Sequence, residues 1–153
     1  MNGHSERLPT FSIFNRPDRV LGVTDIEQLL RFTNRNMIAF DLALGSGALL
    51  APEVTLRLLG HDEPTTDALE LFRRNGPVWL TFAAAHAVAA VRDEPRDWWA
   101  LAWLRGIEIG TDALWSRSPA FTRPGARAGL WFAGAANVAM ALGFGALALR
   151  RRR

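Results

Sequence analysis

The stretch WWALAWLRGIEIGTDALW, residues 98–115, decides how this chain is interpreted. It is apolar and rich in tryptophan, yet it carries Arg105, Glu108 and Asp112. In an α-helix, residues three, four and seven apart lie on one face, so these three charges share one narrow stripe. Ionisable side chains in a bilayer are costly and turn toward a protein interior, where they mark either a structural contact or a site.

The composition indicates one domain in which charge is segregated from apolar blocks. The chain has 153 residues, 49% of them hydrophobic, and its 18 basic residues are all arginine. Because the arginines flank apolar segments along the whole chain, the net charge of +3 forms no nucleic-acid-binding patch, and we expect no nucleic-acid partner. The absence of cysteine excludes disulfides, thiolate metal sites and a cysteine nucleophile.

Four apolar blocks predict four membrane-spanning helices. The clearest, residues 128–149, contains no charge, and a helix of that length rises about 33 Å, enough to cross a hydrocarbon core of about 30 Å. The other blocks are residues 97–116, 76–91 and 36–50. Proline is favoured in the first turn of a helix, so the second span is predicted to begin at Gly76-Pro77.

Two short helices flank the first span in this prediction. Thr24-Asp25-Ile26-Glu27 has the capping-box pattern and predicts an amphipathic juxtamembrane helix that ends near Phe32. Residues 53–59 predict a second amphipathic helix at the membrane interface, closed by Gly60. The expected fold is therefore an all-α, four-helix transmembrane bundle with a short N-terminal amphipathic helix and an interfacial helix after the first span.

The arginine distribution predicts the topology. We expect a cytoplasmic N-terminal segment at residues 1–35, a four-span membrane domain at 36–149 and a basic C-terminal tail at 150–153. An even number of spans places both termini on one side, and that side carries more arginines than the other. The positive-inside rule then predicts a multi-pass protein of the bacterial inner membrane with both termini in the cytoplasm.

The depth of the charged residues can be compared once the topology is set. At about 1.5 Å per residue from the cytoplasmic ends of their spans, Asp41 lies about 8 Å deep, His86 about 9 Å and Arg105 about 12 Å. Three different helices thus place an acid, an imidazole and a guanidinium in one layer. This coincidence predicts a connected polar column inside the bundle.

Three further polar residues extend the predicted column outward. Glu108 and Asn137 are expected near the mid-plane, and Asp112 in the outer half, within reach of Arg57 or Arg73. Buried polar groups without partners are costly, so the members of the column are expected to satisfy one another or a ligand.

Three interpretations of the column remain open at this point. In the first it is structural, with Asp41 paired to Arg105 and His86 donating to a carboxylate. In the second it is a ligand pocket, in which Glu108, Asp112 and His86 hold the polar head of a lipid, quinone or isoprenoid. In the third, His86 is a single axial ligand to a chlorophyll-type pigment, because its small neighbours would admit a flat macrocycle.

No catalytic machinery is recognisable. Ser46 has no nearby base, and Gly45-Ser46-Gly47 is more typical of close helix packing than of a nucleophile. His61 and Glu63 are too few ligands for a zinc site. We therefore expect no catalytic residues, no metal and no cofactor, with a lipid, a quinone or a pigment as candidate ligands.

Several short motifs resemble the DoxX-like superfamily of small four-span bacterial membrane proteins. They are Leu49-Leu50-Ala51-Pro52-Glu53, Leu59-Gly60, Arg74-Asn75-Gly76-Pro77 and the Gly, Glu and Asp residues of 106–112. The similarity covers roughly residues 36–149, and its nearest counterparts are uncharacterised member families. The resemblance implies a four-helix membrane bundle, in some cases linked to redox or lipid-associated complexes, and it brings no catalytic residues.

These observations favour an accessory or scaffold subunit of a larger inner-membrane complex of the respiratory or photosynthetic type. Its expected partners are the lipid bilayer and other membrane protein subunits. The alternative is a binder of a hydrophobic ligand in the polar pocket, and the third interpretation is pigment ligation by His86.

Overall fold

The computed structural model describes residues 22–121 and 123–152, and in this part of the chain all regular structure is α-helical. The prediction of an all-α fold is confirmed. Five helices follow one another along the sequence: α1 (Val23–Leu50), α2 (Pro52–Leu58), α3 (Thr66–Arg92), α4 (Pro95–Trp115) and α5 (Pro124–Arg150).

Helix α1 is continuous, which corrects the prediction of a separate juxtamembrane helix. It begins at Val23 rather than after a cap at Thr24, and the backbone N–H of Gly22 donates to Asp25 Oδ2 at 3.0 Å. The helix then passes through residues 32–36, where the sequence analysis expected a break and a domain boundary. No proline or glycine interrupts this segment, and the Asn36 amide donates to the Phe32 carbonyl within the helix at 3.1 Å.

Helix α3 also extends beyond its predicted start. It begins at Thr66, where the Thr65 hydroxyl caps the N-terminus by accepting from Ala68 N at 3.3 Å. Pro77 therefore lies inside the helix, and its placement in the first turn is wrong. The residue before a proline usually leaves the helical region because its Cβ clashes with the proline ring. Gly76 has no Cβ, so the helix can continue through this position.

The remaining elements lie close to their predicted bounds. Helix α2 begins at Pro52 and ends before Gly60, which adopts a positive φ of 96°. A Cβ at Gly60 would also come within 2.2 Å of Ala126 Cβ, so this turn requires glycine for its conformation and for its packing. Helices α4 and α5 each begin with a proline in the first turn, as that residue favours.

The four long helices form two antiparallel pairs. Helix α1 packs along α3, and α4 packs along α5, whereas fewer contacts join the α1/α3 pair to the α4/α5 pair. The two helices of the first pair approach closely at Gly45 and Gly76, where a Cβ on Gly45 would lie 2.9 Å from the Gly76 carbonyl oxygen. The expectation that Gly45 serves close helix packing is thus confirmed.

Two apolar clusters hold the bundle at its ends. The first cluster lies beside the α3–α4 turn and joins α3, α4 and α5, and α1 residues pack against it. Its fully buried large side chains are Trp98, Leu101 and Phe144. The second cluster lies beside the α1–α2 turn and joins α1, α2 and α3 through Ala48, Leu56 and Phe72.

Large apolar side chains also cover the outside of the molecule. They lie on all four long helices, and the most exposed on each are Leu50 (85%), Val91 (85%), Trp103 (74%) and Phe132 (76%). Of the described helices, α5 is the one whose length and composition suffice to cross a membrane. In the most apolar 18 residues of α5, only 33% is buried, so the rest of the protein does not enclose this helix.

Candidate functional site

Arg105 of α4 forms the centre of a buried polar network between the two helix pairs. Its Nη2 donates to Oδ2 of Asp41 on α1, and its Nε donates to Nε2 of His86 on α3 at 3.0 Å. The side chains of Arg105, Asp41 and His86 are 3%, 1% and 0% exposed. The guanidinium also lies over the Phe82 ring, 5.8 Å from its centroid, which adds a favourable cation–π contact.

The hydrogen bonds of His86 define its tautomer. Because an arginine can only donate, Nε2 of His86 must accept and carries no proton. The proton is then on Nδ1, which donates to Asn34 Oδ1 at 2.5 Å. His86 is therefore a neutral imidazole whose two nitrogens are both engaged.

Asn34 is a member of this network that the sequence analysis missed. It is fully buried, and its Nδ2 donates to the backbone carbonyl of His86 at 3.0 Å while its Oδ1 receives the imidazole proton. The amide thus fixes both the orientation and the tautomer of the ring. The signal that could have found it is its spacing of seven residues from Asp41, which places both side chains on one face of α1.

The sequence analysis expected Asp41, His86 and Arg105 in one layer, and the structure brings these three side chains into contact. The partner of His86 differs from the expected one. Its donated hydrogen bond goes to the Asn34 amide, and the nearest carboxylate oxygen, Asp41 Oδ2, lies 3.7 Å from Nε2. The carboxylate is held by Arg105, so His86 need not be charged to satisfy it.

Farther along α4, Asp112 and Asn137 join α4 to α5. The Asn137 amide donates to Asp112 Oδ2 at 2.8 Å. Arg57 and Arg73, the partners expected for Asp112, instead pair with Glu53 and Glu70. These four residues pair within their own helices, at i,i+4 and i,i+3 spacing.

Glu108 lies between the Arg105 layer and Asp112. It interacts electrostatically with Asp112, Arg105 and Asp41, and it accepts no hydrogen bond from the described residues. Two nearby oxygens, Asp41 Oδ1 and Asn137 Oδ1, are buried and likewise lack a donor in the described part of the chain. The outer part of the predicted column is therefore rich in acceptors and poor in donors.

A second ionic cluster closes the end of the bundle where both described termini lie. Asp93 accepts from Arg31 Nη2 at 2.8 Å and from Trp98 Nε1 at 2.9 Å, and Arg151 also donates to it. Arg31 and Arg151 bind Glu27 as well, each at 2.8–2.9 Å. This latch, formed by Glu27, Arg31, Asp93 and Arg151, connects the start of α1, the α3–α4 turn and the end of α5.

The latch changes the protonation of its two carboxylates. Hydrogen bonds from Arg151 and Arg31 lower the pKa of Glu27 below its ordinary value of 4.5. Burial raises the pKa of Asp93, but hydrogen bonds from Arg31 and Trp98 outweigh it, and the net pKa lies below 3.8. A carboxylate whose pKa is lower in the folded state stabilises the fold above its unfolded pKa, and this stabilisation is lost as the pH falls through the folded value.

This linkage predicts a pH-dependent effect of Asp93→Asn. Asparagine tolerates the left-handed conformation of residue 93 (φ 56°), so the substitution removes charge while keeping the backbone. We expect the variant to melt below the wild type at pH 7 and the difference to shrink below about pH 4, where Asp93 becomes protonated in the unfolded chain. Melting temperatures in mild detergent between pH 7 and pH 3.5 measure the effect.

Glu53→Gln is the matched control, because the Glu53–Arg57 pair is more than half exposed. Exposed pairs contribute about 0–1 kcal/mol, so its melting difference should be small at every pH. A difference for Asp93→Asn that stays constant across the whole pH range would contradict the proposed linkage.

The residues available to a metal or pigment are limited in the described part of the chain. No three His, Asp or Glu side chains there are grouped in a way that could hold a metal ion. Ligation of a pigment by His86 would require Arg105 to release Nε2, and the ring also has an edge contact with Phe144 at 6.0 Å. His86 is better suited to its present hydrogen bonds than to an axial ligand.

Comparisons with known proteins add no constraint to this geometry. No family model, curated protein or solved structure matches the chain.

Proposed function

We propose that the chain crosses a bilayer four times, through α1, α3, α4 and α5, and acts as a non-enzymatic accessory subunit of a larger inner-membrane assembly. The observation that carries this proposal is the distribution of polarity. Asp41, His86 and Arg105 are at most 3% exposed, whereas large apolar side chains cover the outside of every long helix. A water-soluble bundle would normally have the opposite distribution.

Two of the three less apolar helices, α1 and α3, fit this proposal because the ionisable residues of their predicted spans are buried. Between residues 36 and 50 of α1 the one charged residue is Asp41, which is buried. From residue 77 to residue 91 of α3 the one ionisable residue is His86, also buried. Average hydropathy therefore understates how apolar the outward faces of these helices are.

The accessory role is supported by how the buried groups are used. Arg105, Asp41, His86 and Asn34 bind one another, which engages the guanidinium, one carboxylate oxygen, both imidazole nitrogens and the amide. Such a network can fix the register of the helices that it joins. The resemblance to the DoxX-like superfamily points the same way, since it implies a bundle without catalytic residues.

The proposal predicts which positions are accessible from outside a cell. The chain has no cysteine, so a single introduced cysteine is the one reactive thiol. In intact cells a membrane-impermeant maleimide should label Glu63→Cys and Arg117→Cys, in the two loops on the outer side. It should label Arg96→Cys, near the α3–α4 turn, only after the membrane is opened. Positions 63 and 96 would react alike if only α5 crossed the membrane.

The same membranes also test the accessory role. After extraction in a mild detergent, we expect the chain to migrate on native gels in a complex larger than its own 16.9 kDa and its detergent micelle. Variants with exposed aromatic residues replaced, such as Trp103→Ala, should reduce this association without changing the labelling pattern. A chain that migrates alone and carries an extractable lipid or quinone would refute the accessory role.

The second candidate function is binding of a hydrophobic ligand with a polar head. A specific observation favours it, because Glu108 and the buried Asn137 Oδ1 accept no hydrogen bond from the residues that the structure describes. Both residues lie outside the Arg105 network, so the two functions are compatible in one molecule.

A further inference from the structure

The outer part of the polar column contains more acceptors than its own residues can satisfy. Asn137 is 6% exposed, and its Nδ2 binds Asp112 while its Oδ1, on the same carboxamide, is buried without a donor in the described chain. Glu108 stands one helical turn before Asp112 on the same face of α4. We call Glu108, Asp112 and Asn137 the acceptor cluster.

The charge balance of the column is also incomplete. Arg105 neutralises Asp41, with which it forms a buried ion pair, and His86 is neutral in its hydrogen-bonding arrangement. The two carboxylates of the acceptor cluster then have no cation of their own among the described residues that face them. Two carboxylates one turn apart in a low-dielectric environment require a positive charge or a proton between them.

The chemistry of the cluster restricts what could supply that charge. A metal ion is disfavoured, because the described residues contain no suitable group of three His, Asp or Glu ligands. A proton neutralises one carboxylate but supplies only one donor. A primary ammonium group carries one positive charge and three N–H donors, which is the number of acceptor groups in the cluster.

We infer that the acceptor cluster binds the ammonium head of a lipophilic primary amine. Glu108 and Asp112 supply the charge, and Asn137 Oδ1, which is buried without a donor in the described chain, accepts the third hydrogen bond. The inference rests on the proposed membrane location, because only there would such an amine reach the cluster from the lipid phase.

The test is equilibrium binding of radiolabelled dodecylamine to the purified full chain in phosphatidylcholine nanodiscs, with empty nanodiscs as background. We expect saturable binding of one amine per chain. Unlabelled dodecylamine should displace it, whereas dodecyltrimethylammonium, which has the charge but no N–H donor, and dodecanol, which has a donor but no charge, should not. Glu108→Gln should weaken binding about tenfold or more, the loss expected for one charge-assisted hydrogen bond.

Matched variants separate the site from general attraction of cations. Glu70→Gln removes an exposed outer carboxylate that pairs with Arg73 and should leave the affinity unchanged. Asn137→Leu should weaken binding without altering charge. The inference fails if wild-type nanodiscs bind no more amine than empty ones, if the quaternary cation competes equally, or if Glu70→Gln and Glu108→Gln lose affinity alike.

Two controls keep the result interpretable. Circular dichroism and the melting temperature show whether Glu108→Gln is folded. If this variant does not fold, the competition between dodecylamine, dodecyltrimethylammonium and dodecanol on the wild type tests the inference alone. The four-span proposal is judged independently by thiol labelling, so a failure of one is distinguishable from a failure of the other.

Discussion

Arg105→Leu should be among the most destabilising single substitutions in this chain. It leaves the buried carboxylate of Asp41 without its cation and leaves Nε2 of His86 without a donor. Removal of one partner from a buried ion pair costs about 3–5 kcal/mol, because the remaining charge stays desolvated and unpaired. We expect a loss of this size in the free energy of unfolding, measured by denaturant titration in mixed micelles.

A double-mutant cycle shows whether the loss comes from the pair. Asp41→Leu alone should also be costly, because it leaves a buried guanidinium without a counter-charge, in contact with His86 and Phe82 alone among the described partners of Arg105. The double variant Asp41→Leu/Arg105→Leu should be more stable than Arg105→Leu, since apolar residues can replace a buried ion pair with little cost. Additive losses in the cycle would show that Asp41 and Arg105 do not interact in the folded protein.

Arg57→Leu is a control for the general effect of removing an arginine. Its side chain is 59% exposed and pairs with Glu53 at i,i+4 spacing. Exposed pairs contribute about 0–1 kcal/mol, so this variant should unfold close to the wild type. A loss as large as that of Arg105→Leu would mean that the chain depends on its arginines for a reason other than the buried network.

The contact of Asp41, His86 and Arg105 was predictable because an ionisable side chain in an apolar helix is stable only beside a polar partner, and these helices contain few such partners. The rise per residue gives the depth of each residue in the membrane. Because an unpaired charge is costly there, residues at equal depth are expected to pair. The depths are counted from the cytoplasmic end of each apolar block. They therefore do not depend on the true starts of α1 and α3, which lie 13 and 10 residues before the predicted spans.

Asn34 could not be assigned in the same way. The sequence analysis expected a break after Phe32, which placed Asn34 in a polar connection rather than on the buried face of α1. An asparagine in a helix usually competes with backbone hydrogen bonds, and here His86 satisfies the side chain from another helix. The competition is resolved only by tertiary packing, which a single sequence does not reveal.

The latch was unpredictable for a different reason. Glu27, Asp93 and Arg151 come from three distant parts of the chain, and counting arginines on one side of the membrane assigns no partners. The sequence alone also gave no way to choose a partner for Asp112, and its expected pairing with Arg57 or Arg73 was wrong. Each arginine has an acidic residue three or four positions earlier on its own helix, and it pairs with that residue instead.

Gly45→Val should be among the most damaging changes at an uncharged residue inside a helix. A Cβ at this position would lie 2.9 Å from the carbonyl oxygen of Gly76 and 2.9 Å from Leu80 Cγ. The first contact is with backbone, so α1 and α3 must separate to admit even one carbon. Overpacking costs about 1–3 kcal/mol, and we expect the upper end of that range because the helix axes themselves must shift. Thermal unfolding in detergent measures the loss.

Gly106→Ala is the matched control, because a Cβ at Gly106 meets nothing within 4 Å. Alanine is the better helix former by about 0.5–1 kcal/mol, so this variant should melt at or above the wild-type temperature. The comparison isolates packing from helix propensity, since both glycines lie within helices of the same bundle. If Gly45→Ala proved as favourable as Gly106→Ala, α1 and α3 would have to be farther apart than the structure places them. The register that brings Asn34 to His86 would then lose its support, because the same pair of helices fixes both contacts.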